Sequence, residues 1–227
     1  MVKDKQNTPQ DEGLMEVEQA LTSTEQFIEK NQRVLTIAVG AVVAIVAIYM
    51  GYKKFYMNPL EKEAQEQMYV AEQYFEKDSF NLALNGDGNY LGFLDIVEEY
   101  GSTKSANLAN YYAGVSYLHM GKYQDAIDYL NSFSTDDLNL SIVAKGAKGD
   151  AYLELGKKNE AMSLYKEAAA VKNEFTAPIY LMKLGNLYED MKQFPKAVEV
   201  YNQIKADYPN SNEGRTIEKF IARASKK

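Results

Sequence analysis

Nineteen consecutive positions from Val34 to Tyr52, VLTIAVGAVVAIVAIYMGY, carry no charge. Beyond Pro59 the pattern changes. Apolar residues recur three and four positions apart, separated by charged and amide residues, as far as the C-terminus. That spacing puts apolar side chains on one face of a 3.6-residue helix, and no run alternates with the period of two that a half-buried strand needs. Pro is scarce, at five, as long helical segments require. The pattern predicts an all-α chain, with one helix apolar on every side followed by amphipathic helices.

The uncharged run is long enough to cross a bilayer. At about 1.5 Å per residue it spans about 28 Å, close to the hydrocarbon thickness. Arg33 closes one end and Lys53 and Lys54 the other, while Tyr49, Tyr52, Phe55 and Tyr56 sit where an aromatic belt lies. A buried core helix is the competing reading, but a helix apolar all round has no matching partner elsewhere in the chain. A cleaved signal peptide is the other. It needs a short basic leader and small residues at the cleavage site. Here the preceding stretch is long and carries Asp11, Glu12, Glu16, Glu18, Glu25 and Glu29, and the run ends Tyr-Met-Gly-Tyr-Lys-Lys. The expectation is an uncleaved transmembrane signal anchor over residues 34–52, in contact with the lipid bilayer. Lys30 and Arg33 before it balance Lys53, Lys54 and Lys62 after it, so local charge does not set the orientation.

Residues 1–33 form a tail on the near side of the anchor. Positions 1–12 are polar, the composition of a disordered end. Positions 13–32 read as an amphipathic helix, with Leu14, Val17, Leu21 and Ile28 on one stripe interrupted by Thr24. That helix either leads passively into the span or docks on a partner; its acidic faces argue against an anionic leaflet.

The C-terminal part repeats. AGVSYLHMGKYQDAIDYL, KGDAYLELGKKNEAMSLY and LGNLYEDMKQFPKAVEVY align through Gly114, Gly149 and Gly185, through Tyr117, Tyr152 and Tyr188, and through Ala126, Ala161 and Ala197. The glycine steps and the alanine steps are both 35 and 36 residues. A pair of antiparallel helices explains the pattern: the small residues lie where two helices cross, the tyrosines fill the gap to the next pair, and Gly121 and Gly156 end a first helix in a left-handed cap. The third repeat has Lys192 at that cap, and the second has Lys145 and Lys148 where large apolar residues are expected. These positions resemble tetratricopeptide (TPR) repeats, whose period is about 34 residues.

Residues 105–211 hold three such repeats, and residues 212–227 a capping helix and tail with Ile217, Phe220 and Ile221 inward. Residues 53–104 read as a linker helix and a degenerate first repeat. One helix covers 59–77, started by Asn58, Pro59 and Glu61, and another covers 90–100. Phe80 to Asn89 is an insertion between them. The expected fold is an N-terminal membrane helix followed by a TPR-like α-solenoid of about four helix pairs with a C-terminal capping helix.

Composition narrows the chemistry. Cys is absent, which removes disulfides, zinc thiolate sites and thiol catalysis. The net charge is −7 and the bases do not cluster, so no nucleic-acid footprint is present. Asn85-Gly86-Asp87-Gly88-Asn89 lacks the glycine and glutamate of a calcium loop, because Tyr90 and Ile96 stand at those places. His119 is the sole histidine and has no nucleophile motif near it. No metal, no cofactor and no enzyme activity is expected.

The concave face of the solenoid is the expected protein-binding groove. By repeat position it contains Leu108, Tyr111, Val115, Leu118, Val143, Asp150, Leu153, Ile179, Met182 and Asn186, although some of these are ordinary half-packed faces. Asp150, Glu154, Glu189 and Asp190 make its far end acidic. Tyr111 and Val115 stand where a carboxylate-holding clamp has Lys and Asn. An apolar, weakly basic segment is therefore the expected ligand.

The layout, together with the anchor followed by Pro59-Leu60-Glu61 and the repeat positions above, resembles the YfgM-like family of bacterial inner-membrane proteins over residues 12–224. The resemblance implies a single-pass inner-membrane protein with its N-terminus in the cytoplasm and its TPR domain in the periplasm. It implies an ancillary subunit of the Sec translocon, with translocon subunits, a membrane-anchored periplasmic chaperone of the prolyl-isomerase type and unfolded or emerging polypeptide as partners. The link from Phe80 to Asn89 departs from a regular array. The same features also fit a scaffold of another envelope complex, such as a cell-division, secretion or gliding machine.

Overall fold

A computed structural model describes the backbone of residues 9–227 and the side chains from Glu25 onward. The disordered end expected over positions 1–12 lies outside what is described for 1–8 and is corrected over 9–12, where the backbone is already helical; the stripe of Leu14, Val17 and Leu21 lies outside the described side chains. The chain divides after Asn58 into two compact units.

The first unit is one long helix, α1 (Pro9–Tyr52), followed by a π-helical turn over Lys53–Met57. The backbone N–H of Asn58 closes that turn on the Lys53 carbonyl. Among the described residues of this unit nothing covers the apolar stretch: Val34, Ile37, Ile45 and Ile48 are each more than 60 % exposed. An 18-residue window of mean hydropathy 2.5 makes this helix long and apolar enough to cross a membrane. Tyr52 stacks on Tyr56 with centroids 5.3 Å apart, and Phe55 is 79 % exposed.

The second unit is all helical among the described residues. Its elements are α2 (Asn58–Glu76), α3 (Phe80–Asn85), α4 (Phe93–Glu99), α5 (Lys104–His119), α6 (Tyr123–Ser132), α7 (Leu138–Glu154), α8 (Lys158–Ala170), α9 (Ala177–Asp190), α10 (Phe194–Asp207) and α11 (Ile217–Ala224). The pairs α5–α6, α7–α8 and α9–α10 are antiparallel neighbours, and each packs on the next. The result is a TPR-like solenoid. A 3₁₀ turn over Gly214–Thr216 leads into α11, which buries Ile217 and Ala224 against α10 and half-buries Phe220 and Ile221.

One contact recurs in every pair. A methyl group added at Gly114 would lie 2.6 Å from Leu130 Cγ, and one at Gly149 would lie 2.7 Å from the Tyr165 ring. At Gly185 it would meet the Tyr201 ring closer still. The glycine is small because a large side chain from the second helix, sixteen residues on, crosses directly over it. Ala126, Ala161 and Ala197 are 0 % exposed on the same interface. Tyr152 packs against both the Ala126–Ala151 cluster and the next core, joining successive pairs as the pattern predicts.

The turns inside the pairs share one hydrogen-bond pattern. Lys122 N–H donates to the Tyr117 carbonyl and Gly121 N–H to Leu118; Lys157 and Gly156 do the same to Tyr152 and Leu153. Gln193 and Lys192 repeat it on Tyr188 and Glu189. The cap residue must adopt positive φ: 73° at Gly121 and Gly156, and 58° at Lys192. Lys192 accepts a left-handed conformation that a side chain disfavours.

The same pattern corrects the reading of the first unit of the array. Ser79 N–H donates to the Tyr74 carbonyl and Asp78 N–H to Phe75, with Asp78 at φ 55°. Tyr74 therefore stands with Tyr117, and Ala83, 0 % exposed, stands with Ala126. Phe80–Asn85 is not an insertion between two helices. It is the first turn of the second helix, which breaks at Gly86 and resumes at Phe93. From Ala83 to Tyr100 is six residues longer than from Ala197 to Tyr208, and those six are the true insertion. The downstream registers then match: Phe93, Ile96 and Tyr100 are buried like Tyr201, Ile204 and Tyr208. The Thr103 hydroxyl donates to the Tyr100 carbonyl and accepts from Ala106 N–H, as the Ser211 hydroxyl does with Tyr208 and Gly214.

Two expectations follow. Gly185→Ala overpacks the α9–α10 crossing and lowers stability by about 1–3 kcal/mol. Gly121→Ala costs about 1 kcal/mol, whereas Lys192→Gly raises stability by a few tenths. Urea unfolding of the full chain in micelles checks both through the midpoint at unchanged slope.

Candidate protein-binding groove

Helices α5, α7 and α9 carry the ten positions read as the groove, and the structure sorts them into three kinds. Tyr111, Val115 and Leu118 are half-buried against Leu130, Ala144 and Ala147, with the Tyr111 ring 5.4 Å from Phe133. Leu108 packs on the core of the first pair, and Leu153 and Met182 on that of the last two. These six serve the seams between repeats and offer only an edge to a ligand. Val143 and Ile179, at 37 % and 41 % exposed, are the open apolar members, and Asn186 is exposed.

Two depressions result. Leu118, Asp150 and Leu153 share one of about 390 Å³ with His119, Tyr123 and Glu154. Ile179 lines another of about 290 Å³ with Phe175 and the Asn210–Glu213 loop. Phe175 is 83 % exposed and was not among the residues read from the repeats. It lies in the α8–α9 connection, outside the repeat register. The signal for it is local: a large apolar side chain between the polar run Lys172-Asn173-Glu174 and Thr176.

Asp150 is an internal anchor. Lys183 Nζ donates to both its oxygens at 2.6 Å, and the Tyr165 hydroxyl donates to Oδ1 at 2.6 Å. This ties α7, α8 and α9 together. Burial, then the hydrogen bond to Asp150, raises the Tyr165 phenol well above its usual range. Tyr180 is pushed up to about 12 by burial first and then by the Asp150 charge. Lys183 also lies over both rings, 5.8 and 5.9 Å from their centroids.

The acidic far end expected from the sequence is largely neutralised. Asp150 pairs with Lys183, Asp190 with Lys158 at 2.7 Å, and Glu189 with Arg223 of the capping helix at 2.6 Å. The cations come from other repeats and from α11, a match that no single repeat reveals. Glu154, which lines the first depression, has no such ion pair among the described residues, so a weak preference for basic segments rests on that one carboxylate.

Glu189 is the most enclosed of these acids, its side chain 11 % exposed. It accepts from Arg223 Nε and Nη2 at 3.1 and 2.6 Å and from the Tyr201 hydroxyl at 2.8 Å. Burial alone would raise its carboxyl, but these donors outweigh burial and hold it below the usual carboxylate range.

The remaining candidates have structural roles. Asp87 Oδ1 accepts from the N–H groups of Asn89 and Tyr90, and Oδ2 from the Tyr74 hydroxyl, which pins the inserted loop to α2. His119 stacks on Phe80 with centroids 4.5 Å apart. Among the described residues no three His, Asp or Glu side chains converge on a metal position.

Paired antiparallel helices with a repeating glycine contact define a tetratricopeptide-repeat array, and comparison with known proteins agrees. A family model described as Tetratricopeptide repeat matches residues 108–136 and 180–211. The repeat between them, which carries Lys145 and Lys148, lies outside both stretches. Similar solved structures include the TPR-like repeats of a kinesin light chain from Podosopora anserina, with 16 % identity and a TM-score of 0.56, covering 73 % of this chain and 87 % of that one. A single-substitution variant of the same protein matches equally, covering 86 % of its length. At that identity the likeness is one of fold. No curated protein matches the chain. The chain carries TPR repeats, and such an array is a protein–protein interaction module.

Arg223→Ala should lower stability at pH 7 by about 1–3 kcal/mol, because a nearly buried carboxylate loses two of its three donors. The Glu189 contribution is present above the ordinary glutamate value of 4.5 and is lost as pH falls through its depressed one. The difference between wild type and variant should therefore close as pH falls from 5 toward 3. Thermal unfolding across that range checks it.

Proposed function

We propose that this chain is a membrane-anchored, non-catalytic interaction protein. In this reading residues 34–52 span the bilayer with the N-terminus in the cytoplasm, and the TPR array works in the periplasm beside the Sec translocon, receiving emerging polypeptide together with an anchored chaperone. The observation that carries the reading is the presence, in one chain, of an uncovered helical stretch without charge over residues 34–52 and a TPR array whose α7 and α9 leave Val143 and Ile179 open. An anchor holds the array near the membrane and raises its effective concentration toward anything emerging there. The translocon assignment itself draws on the resemblance in layout.

The neutralised acids change the expected ligand. An apolar segment, extended or helical, fits Val143, Ile179 and the two depressions without a requirement for basic residues.

Brief in-cell crosslinking of a C-terminally tagged chain, gentle solubilisation and mass spectrometry test the reading. Translocon subunits and a membrane-anchored chaperone should lead the list. The double variant Val143→Asp, Ile179→Asp should reduce their recovery at least tenfold. Both sites are exposed, so each change should alter stability by no more than about 0.5 kcal/mol. A list led by cell-division, secretion or gliding components would replace the translocon reading with that of an envelope scaffold.

A further inference from the structure

The second repeat departs from its neighbour at two core positions. Where α9 buries Leu181 and Leu184, at 3 % and 4 % exposed, the same positions of α7 hold Lys145 and Lys148, each only half-buried. An open cleft of about 260 Å³ lies there between the end of α6 and the face of α7. Leu130 and Phe133 line its apolar part, and Lys145, Lys148, Ser134, Thr135 and Ser141 its polar part.

The fold gains little from this exchange. Lys145 pairs with Glu167 at 3.2 Å with both side chains about half exposed, and Lys148 Nζ donates to Asn131 Oδ1 at 3.0 Å. Contacts of that kind contribute less than the burial of two leucines. The first repeat holds Asn110 and Ala113 at these two positions, so charge at both is peculiar to the second repeat, and a local departure that the fold does not recover is where function is expected.

The cleft is rich in donors and its wall is fixed. The Ser134 and Ser141 hydroxyls make no hydrogen bond within the described protein, and Thr135 Oγ1 accepts from Asp137 N–H, leaving its own hydrogen to donate. Asn107 holds the loop in place: its Nδ2 donates to the Ser134 carbonyl at 2.7 Å, and its Oδ1 accepts from Ser134 N–H at 3.0 Å. The nearby acids are Glu167, on Lys145, Asp136, in the loop, and Asp137, whose Oδ1 is occupied by Leu140 N–H.

We propose that this cleft binds a phosphoryl oxyanion. Two ammonium groups match a doubly charged phosphate, and three hydroxyl donors match its terminal oxygens. A carboxylate has only two oxygens and would leave donors unmatched. The volume exceeds that of a phosphate ion, which leaves room beside Phe133 for the carbon of a phosphate ester.

Calorimetric titration of the full chain in neutral-detergent micelles tests the proposal, at fixed pH and ionic strength. The probes are inorganic phosphate, glycerol 3-phosphate and acetate. Both phosphates should bind saturably in the millimolar range, and acetate should not. Tighter binding of glycerol 3-phosphate identifies an ester as the natural source, and equal binding identifies free phosphate. Lys148→Leu should weaken phosphate at least tenfold while raising Tm, since leucine stands at that position in the next repeat. Glu167→Gln should tighten it severalfold by releasing Lys145, a change that a purely structural pair would not produce. Should Lys148→Leu fail to fold, Ser141→Ala takes its place, with a severalfold loss expected. Equal responses to phosphate and acetate, or phosphate affinity unchanged in these variants, would overturn the proposal.

Discussion

The crossing of a bare backbone position by a large side chain sets the geometry of the array. Gly114 under Leu130, Gly149 under Tyr165 and Gly185 under Tyr201 let the two helices of a pair approach to the distance at which Ala126, Ala161 and Ala197 can seal the interface. Interiors are packed as densely as organic crystals, so one added methyl at such a site has nowhere to go. Every later feature inherits this spacing: the tyrosines between pairs, the left-handed caps, and the face that α5, α7 and α9 present.

A second layer of polar contacts fastens one pair to the next. Tyr165 and Lys183 converge on Asp150, and Tyr201 and Arg223 converge on Glu189. Asp150 and Asn186 hold equivalent positions, each one residue past the crossing glycine, and each lies within hydrogen-bond distance of the hydroxyl of the tyrosine that crosses that glycine. The groove acids are thus part of the scaffold. A ligand on this face would meet apolar edges, three neutralised pairs and Glu154, a surface that favours recognition by shape and apolar burial over recognition by charge.

The array is regular in its crossings and irregular in two places, and the irregularities differ in kind. The loop over residues 86–92 in the first pair, which contains the six-residue insertion, is held by Asp87 and Tyr74, so it is an ordered break in a helix that resumes its register. The lysines of the second repeat leave a cleft that the neighbouring repeat fills with leucine. One is accommodated by local hydrogen bonds; the other stays open.

The chain's own pattern determined the helical class, the uncharged segment, the three repeats and their caps. These rest on local quantities: periodicity, a glycine at a left-handed turn, and the absence of charge over a membrane-length run. The hidden first repeat was only half legible, because an insertion inside a helix looks the same in sequence as one between helices; the carbonyl of Tyr74 receiving Ser79 N–H distinguishes them. The groove positions were legible as places on a helix but not as exposed surface. Tyr111 is drawn into the seam by Leu130 of α6 and by Phe133 just beyond it, neighbours that its own helix does not announce. The neutralisation of Asp150, Glu189 and Asp190 was decided by tertiary structure alone. Their partners stand 32 to 34 residues away, and charge pairing at that separation exists only once the repeats have stacked.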